Sequence, residues 1–315
     1  MIAPLARFID WSALHLVYLV NPLKHAPESE WRLGEAVDFL NGRDFLPAPS
    51  ESARVELDGE THFTFPTPCP CEDPENNIVY GRLFRCGKRW RERPAIILLD
   101  GAPSVGYPTV LPLVARWLNR KGFNAALLVA PYQLERRPRR AIGENCLTFA
   151  RAMAQNVAEI RATVGWLLDE GCPSVGLVGI SFGGWTAGLT VCSDARIAGA
   201  VLGLPRVRMR CSDPVVWRRV REALLALRPA QDAMDTTRLN LILSRPLIPK
   251  ENILLVEGMY DLCSDGEAIE ELWQRWGQPE IWRLPCGHLS APPGLIGRML
   301  RWMGPRLEER QRHTF

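Results

Sequence analysis

The chain has 315 residues, 47% apolar and 23% charged, with 25 glycines and 26 prolines. These proportions exclude a disordered, collagen-like or low-complexity chain and fit a globular protein that buries its core without metal or disulfide staples. The net charge is only +3, from 38 basic and 35 acidic side chains, which points away from nucleic acid or any other polyanionic partner.

The nine cysteines are odd in number and dispersed: Cys69, Cys71, Cys86, Cys146, Cys172, Cys192, Cys211, Cys263 and Cys286. A disulfide framework is denser and even, so reduced thiols in a cytoplasmic compartment are expected. Cys69-Pro70-Cys71 has the wrong spacing for a zinc knuckle, and no metal is expected there. With no run of 18 apolar residues, no transmembrane segment is expected either. The apolar stretch from Trp11 to Val20 follows a single basic residue and precedes no small-x-small cleavage site. It reads as a packed N-terminal helix rather than a signal sequence.

In chain order, residues 1–60 read as a helical extension and connector, with the Pro-rich stretch Leu46-Pro47-Ala48-Pro49-Ser50 near its end. Residues 61–312 read as the main domain. Thr61 to Phe65 and Ile78 to Arg85 are candidate strands separated by a loop rich in Pro, Cys, Asp and Asn. The basic run from Lys88 to Arg93 reads as a solvated turn. Ala95 to Leu99 is a short continuous apolar run, the mark of a strand buried on both faces. Val110, Leu111, Val114, Trp117 and Leu118 then recur at helical spacing, with a stop at Gly122.

Ala125 to Val129 is the next buried strand, and Leu147 to Leu168 a long helix with one apolar stripe ended by Gly171. Strand Val175 to Gly179, a helix through Trp185 to Val191, strand Ile197 to Leu202 and strand Ile253 to Val256 follow. Ser264-x-x-Glu267 reads as a capping box opening a helix that ends at Gly277. Glu280 to Leu284 is a last short strand, and a final helix begins near Pro293. Strand and helix in alternation predict an α/β fold: a mostly parallel, doubly wound sheet. The helical, charge-rich insertion at about 205–250 predicts a short helical cap.

Gly179-Ile180-Ser181-Phe182-Gly183-Gly184 stands where a buried strand gives way to a helix. A nucleophile lifted out of such a turn sits on strained backbone, so its neighbours two residues either side must be small. The helix that follows aims free N–H groups and partial positive charge at the reacting oxygen. A serine hydroxyl needs a base. Of five histidines, His15, His25 and His62 precede the sheet core and His313 lies in a polar tail. His288, in the loop after the last strand, is the candidate.

The orienting acid belongs in a loop after a strand between Ser181 and His288. Asp261 fits, ending Val256-Glu257-Gly258-Met259-Tyr260-Asp261, and Asp265 competes from the start of a helix, where acids have an ordinary capping role. Glu257 is still on its strand. An oxyanion hole needs two N–H donors. Phe182, next to the nucleophile, is one candidate. The loop Asp100-Gly101-Ala102-Pro103-Ser104 offers Ala102, or Gly101, as the other, unless it is a plain Gly-Pro turn.

The order Ser181, Asp261, His288 on alternating strands and helices resembles the α/β-hydrolase superfamily over roughly residues 75–305. Two stretches also resemble bacterial relatives of the α/β-hydrolase domain-containing 18 group. One is Ala130-Pro131-Tyr132-Gln133-Leu134-Glu135-Arg136-Arg137-Pro138, and the other is Glu257-Gly258-Met259-Tyr260-Asp261 with Gly287-His288. The resemblance implies an α/β-hydrolase fold with Ser181 as nucleophile, His288 as base and Asp261 as its orienter. One departure is Asp100, which stands where a His-Gly pair is frequent and bears on the second oxyanion donor.

The run Arg136-Arg137-Pro138-Arg139-Arg140 reads as a solvated loop, with attraction of an acidic substrate as the alternative. Arg206, Arg208 and Arg210 alternate near the cap. No dinucleotide or P-loop pattern occurs, so no cofactor is expected. The expected activity is a serine hydrolase acting on a small-molecule or lipid ester through an acyl-enzyme. Acyl transfer, peptide cleavage and a non-catalytic binding protein of the same fold are the alternatives.

Overall fold

Five short runs of buried residues make the centre of one twisted sheet in this computed structural model, which describes residues 2–20, 32–46, 53–138, 145–210, 228–292 and 294–313. They are β4 (Ala95–Leu99), β5 (Asn124–Leu128), β6 (Val175–Ile180), β7 (Gly199–Gly203) and β8 (Ile253–Gly258). Side chains buried on both faces need helices on both sides, and that is what the chain supplies. The edges are more polar: β1 (Glu56–Asp58), β2 (His62–Pro66), β3 (Ile78–Phe84) on one side and β9 (Glu280–Leu284) on the other.

The strand order is β1-β2-β3-β5-β4-β6-β7-β8-β9. Strands β5, β4, β6, β7, β8 and β9 run parallel, and β1, β2 and β3 join antiparallel at one edge. Each anticipated strand is present within about two residues of its anticipated bounds. β1 was not anticipated: its three residues are exposed and carry no apolar alternation, and only pairing with β2 makes them a strand.

Helices α2 (Leu33–Asn41), α4 (Cys146–Asp169), α5 (Phe182–Val191) and α6 (Gly266–Arg275) share one core with one sheet face, built on Leu40, Phe63, Ile97, Val157, Leu177, Trp185 and Leu202. Helices α3 (Leu111–Arg120) and α7 (Leu295–His313) cover the opposite face through Leu118, Leu127, Val178, Leu254, Met299 and Met303. The sheet is therefore doubly wound, with helix α1 (Ile2–Val20) preceding it in the chain.

Helix ends follow local chemistry. The Asn145 side chain accepts from Thr148 N–H and starts α4. The expected capping box at Ser264 is not the cap of α6. Asp265 is the N-cap, accepting from Glu267 and Ala268 N–H, while the buried Ser264 hydroxyl turns to the Leu204 carbonyl. Asp and Ser are both favoured N-cap residues, and here the helix starts one residue later, on the Asp265 side chain. The Pro-rich positions 47–50 and the central part of the expected cap, 211–227, lie outside the described residues. Of that insertion, residues 228–234 are helical and Leu241–Leu243 forms a 3-10 turn.

Candidate active site

The carboxyl ends of parallel strands leave loops on one edge of the sheet, where ligands bind in open α/β folds. Ser181 follows β6 there, with φ 55° and ψ −115°, a conformation that L residues adopt only under constraint. Its N–H donates to the Gly203 carbonyl (2.8 Å) and its carbonyl accepts from Trp185 N–H (3.0 Å), which pins the turn between β7 and α5. A Cβ on Gly179 would lie 2.1 Å from the Gly183 oxygen, and one on Gly183 would lie 2.3 Å from the Leu99 oxygen. The two glycines are required by backbone packed against backbone, as the motif implied.

His288 Nε2 lies 2.8 Å from Ser181 Oγ, and His288 Nδ1 lies 2.7 Å from Asp261 Oδ2. A carboxylate only accepts, so Nδ1 carries the ring proton and Nε2 presents its lone pair to the serine hydroxyl. The Asp261 side chain is 3% exposed, and its other oxygen accepts from Cys263 N–H (2.6 Å) and Ser264 N–H (2.9 Å). Such bonds fix the carboxylate against rotation. Asp265 is placed elsewhere: besides capping α6 it pairs with Arg208. Glu257 faces Arg283 at 3.0 Å, with burial pushing its carboxyl above the ordinary range.

Phe182 is the first residue of α5, where N–H groups have no acceptor within the helix. The loop after β4 lies against Ser181, since a Cβ on Gly101 would sit 3.6 Å from Ser181 Cβ. Asp100 folds this loop: Oδ1 accepts from Gly101 N–H (2.8 Å) and Oδ2 from Tyr107 N–H (2.7 Å). Gly101 N–H is thus committed to Asp100, which leaves Ala102, exposed in the same loop, as the backbone candidate. Burial raises the Asp100 carboxyl above its ordinary range, against the lowering effect of those donors. The departure noted at position 100 is a loop-forming carboxylate.

The reading of the Arg136–Arg140 run as a solvated loop fails at its first residue. Arg136 is fully buried and forks onto Glu159 at 2.6 and 2.7 Å, donating also to the carbonyls of Val129 and Asn76. Glu159 lies in the stretch Ala152–Leu167 of α4, where every residue is buried, a partner 23 residues away that the local pattern does not reveal. Positions 139–140 lie outside the described residues. Arg208 pairs with Asp265 and Arg210 faces Asp232 at 3.6 Å, so these two cations, like Arg136, have carboxylate partners within the protein.

Sequence reasoning also missed Asp10 on α1. Its carboxylate is buried and accepts from His288 N–H (2.6 Å), Leu289 N–H (3.0 Å) and Leu262 N–H (3.2 Å). The available signal was a lone acid in a mostly apolar helix, the one acidic residue of Ile2–Val20. Among the described residues, Cys263 Sγ lies within 4.8 Å of donor atoms of Asp261 and His288, a set in which the latter two already bond each other. Cys69, Cys71, Cys86, Cys146, Cys172, Cys192, Cys263 and Cys286 are free thiols. Burial pushes the Cys172 thiol up to about 12. No helix of the described residues is long and apolar enough to cross a membrane.

Residues 65–208 match the family model described as alpha/beta hydrolase domain containing 18. Two uncharacterized proteins of Mycobacterium tuberculosis, from strains CDC 1551 / Oshkosh and ATCC 25618 / H37Rv, are each 28% identical over 232 residues, 68% of this chain and 53% of theirs. The chain spans about half the length of these curated relatives. An esterase of Pyrococcus furiosus shares the fold with a TM-score of 0.53 at 15% identity, over 84% of this chain and 98% of that one. A cold-adapted esterase from an Arctic intertidal metagenomic library gives 0.52 at 18%, over 82% and 99%. A puromycin-hydrolyzing peptidase of M. tuberculosis gives 0.54 at 15%, over 73% and 37%.

Proposed function

Because the chain belongs to the α/β-hydrolase superfamily, we propose that it is a serine hydrolase that cleaves a carboxylic ester through an acyl-enzyme. The observation that carries this reading is the continuous chain Ser181 Oγ, His288 Nε2, His288 Nδ1, Asp261 Oδ2, with links of 2.8 and 2.7 Å, on a serine held at positive φ. His288 takes the hydroxyl proton as Oγ attacks the carbonyl, and Asp261 holds the ring and stabilises the imidazolium. The tetrahedral oxyanion is received by Phe182 N–H at the positive end of α5 and by Ala102 N–H. His288 then protonates the leaving alcohol, and water repeats the sequence to free the acid.

A small-molecule or lipid ester is the proposed substrate class. Free thiols support a cytoplasmic setting. The peptidase neighbour favours amide cleavage as a second reading, on the same residues.

A fluorophosphonate probe tests the proposal, with labelled peptides located by mass analysis and turnover followed on p-nitrophenyl esters and matched arylamides. Ser181 is expected to carry the label. Ser181→Ala should keep the fold and lose turnover by about 10⁴ to 10⁶, and Asp261→Asn should lose about 10⁴. Full activity in folded Ser181→Ala overturns the assignment.

A further inference from the structure

We propose that Asp10, on the N-terminal helix, is a positioning residue that locks the acid and base loops of the triad to each other. The inference rests on the serine-hydrolase reading. His288 and Asp261 come from separate loops, one after β9 and one after β8, and a 2.7 Å bond between side chains holds only if both loops keep register. Backbone bonds supply part of this: Met259 N–H to the Leu284 carbonyl (2.8 Å) and Tyr260 N–H to the Cys286 carbonyl (3.0 Å). These end before the catalytic residues themselves.

Asp10 takes over where they stop. One oxygen accepts from both loops, from Leu262 N–H directly after Asp261 and from His288 N–H itself. The other accepts from Leu289 N–H. A single rigid carboxylate therefore bridges residues 262 and 288, and it is fully buried. In low dielectric, N–H groups bond to a carboxylate more strongly than to a neutral oxygen.

Two further features serve this contact. A Cβ on Gly287 would lie 2.5 Å from Asp10 Oδ2, so glycine there permits the close approach. The Arg7 guanidinium lies over the Tyr260 ring, 5.8 Å from its centroid, joining the same helix to the residue before Asp261. Ala6 and Asp10, four residues apart, form the buried side of this turn of α1, while Leu5 and Phe8 face outward. The N-terminal helix thereby completes a site whose three triad residues all lie beyond residue 180.

The test uses the full chain with Asp10→Ala, the milder Asp10→Asn, and the exposed control Leu5→Ala. Three quantities are read: the rate of fluorophosphonate labelling at Ser181, kcat and KM on an ester, and hydrogen exchange in peptides 259–264 and 286–291. Asp10→Ala should slow labelling and kcat by about 10- to 100-fold with KM held within about twofold, because the lesion misplaces catalytic groups rather than substrate. Both loops should exchange faster. Asp10→Asn, which keeps one acceptor oxygen, should fall between, and Leu5→Ala should match the parent.

Labelling and kcat at parental level in folded Asp10→Ala overturn the proposal. If Asp10→Ala fails to fold, Asp10→Asn and Gly287→Ala carry the same comparison. Should the parent neither label nor turn over esters, the hydrolase reading falls, and exchange still decides the clamp. Faster exchange in both loops upholds it, and unchanged exchange overturns it too.

Discussion

At the residue scale the site is governed by where backbone must touch backbone. Gly183 shows the point most sharply, because a Cβ there would meet the Leu99 oxygen at 2.3 Å and the Asp100 oxygen at 2.7 Å. Neither atom is the end of a flexible chain, so α5 has to move off β4. Gly183→Ala is expected to cost about 1–3 kcal/mol or more in urea denaturation and to slow Ser181 labelling, since Phe182 and Ser181 move with the helix. Gly34→Ala makes the contrast: nothing lies within 4 Å of its added carbon, and a gain of about 0.5–1 kcal/mol is expected in α2. Equal effects at the two positions would contradict the packing argument. The juxtaposition of Ser181 and His288 was open to sequence reasoning because a strained elbow leaves small residues at fixed offsets and a candidate base follows in chain order. Asp10 was not, because its acceptor role exists only with donors some 250 to 280 residues away.

Elements carry a different kind of information. Buried strands such as β4 and β6 were readable from uninterrupted apolar runs, and α4 from its stripe. What the runs could not disclose was the polar seam that crosses them. Arg136, after β5, and Glu159, on α4, are both at most 2% exposed and form a fork extended by Thr67, Gln155 and the Asn76 carbonyl. Removing one member strands a charge in low dielectric, whereas removing both need not. Arg136→Met is therefore expected to destabilise the protein by about 3–5 kcal/mol, and the Arg136→Met/Glu159→Leu double variant to recover much of that loss in a double-mutant cycle. A double variant no more stable than Arg136→Met would show that the seam's value lies in its neutral hydrogen bonds instead. A run of arginines looks solvated only until the fold supplies a carboxylate from another helix.

For the whole molecule, the question is whether residues before the sheet form a separable extension. Their packing argues for one cooperative unit. Ala36, Leu40 and Phe45 are fully buried in the same core as Phe63, Val157, Leu177 and Trp185. The Arg238 guanidinium, from within the insertion, donates to the Leu40 and Gly42 carbonyls. The N-terminal helix reaches the loops that carry Asp261 and His288 through Asp10. Leu40→Ala is accordingly expected to cost about 2–5 kcal/mol of the stability of the entire chain, the usual consequence of a cavity in a shared core. Tryptophan fluorescence, to which the buried Trp166 and Trp185 contribute among the eleven tryptophans of the chain, and far-UV circular dichroism should shift together along a single denaturation curve. An early helical loss that leaves the fluorescence transition in place would instead make residues 1–60 an independent layer. In that case the clamp on His288 would have to open before the sheet does, and activity would fall ahead of global unfolding.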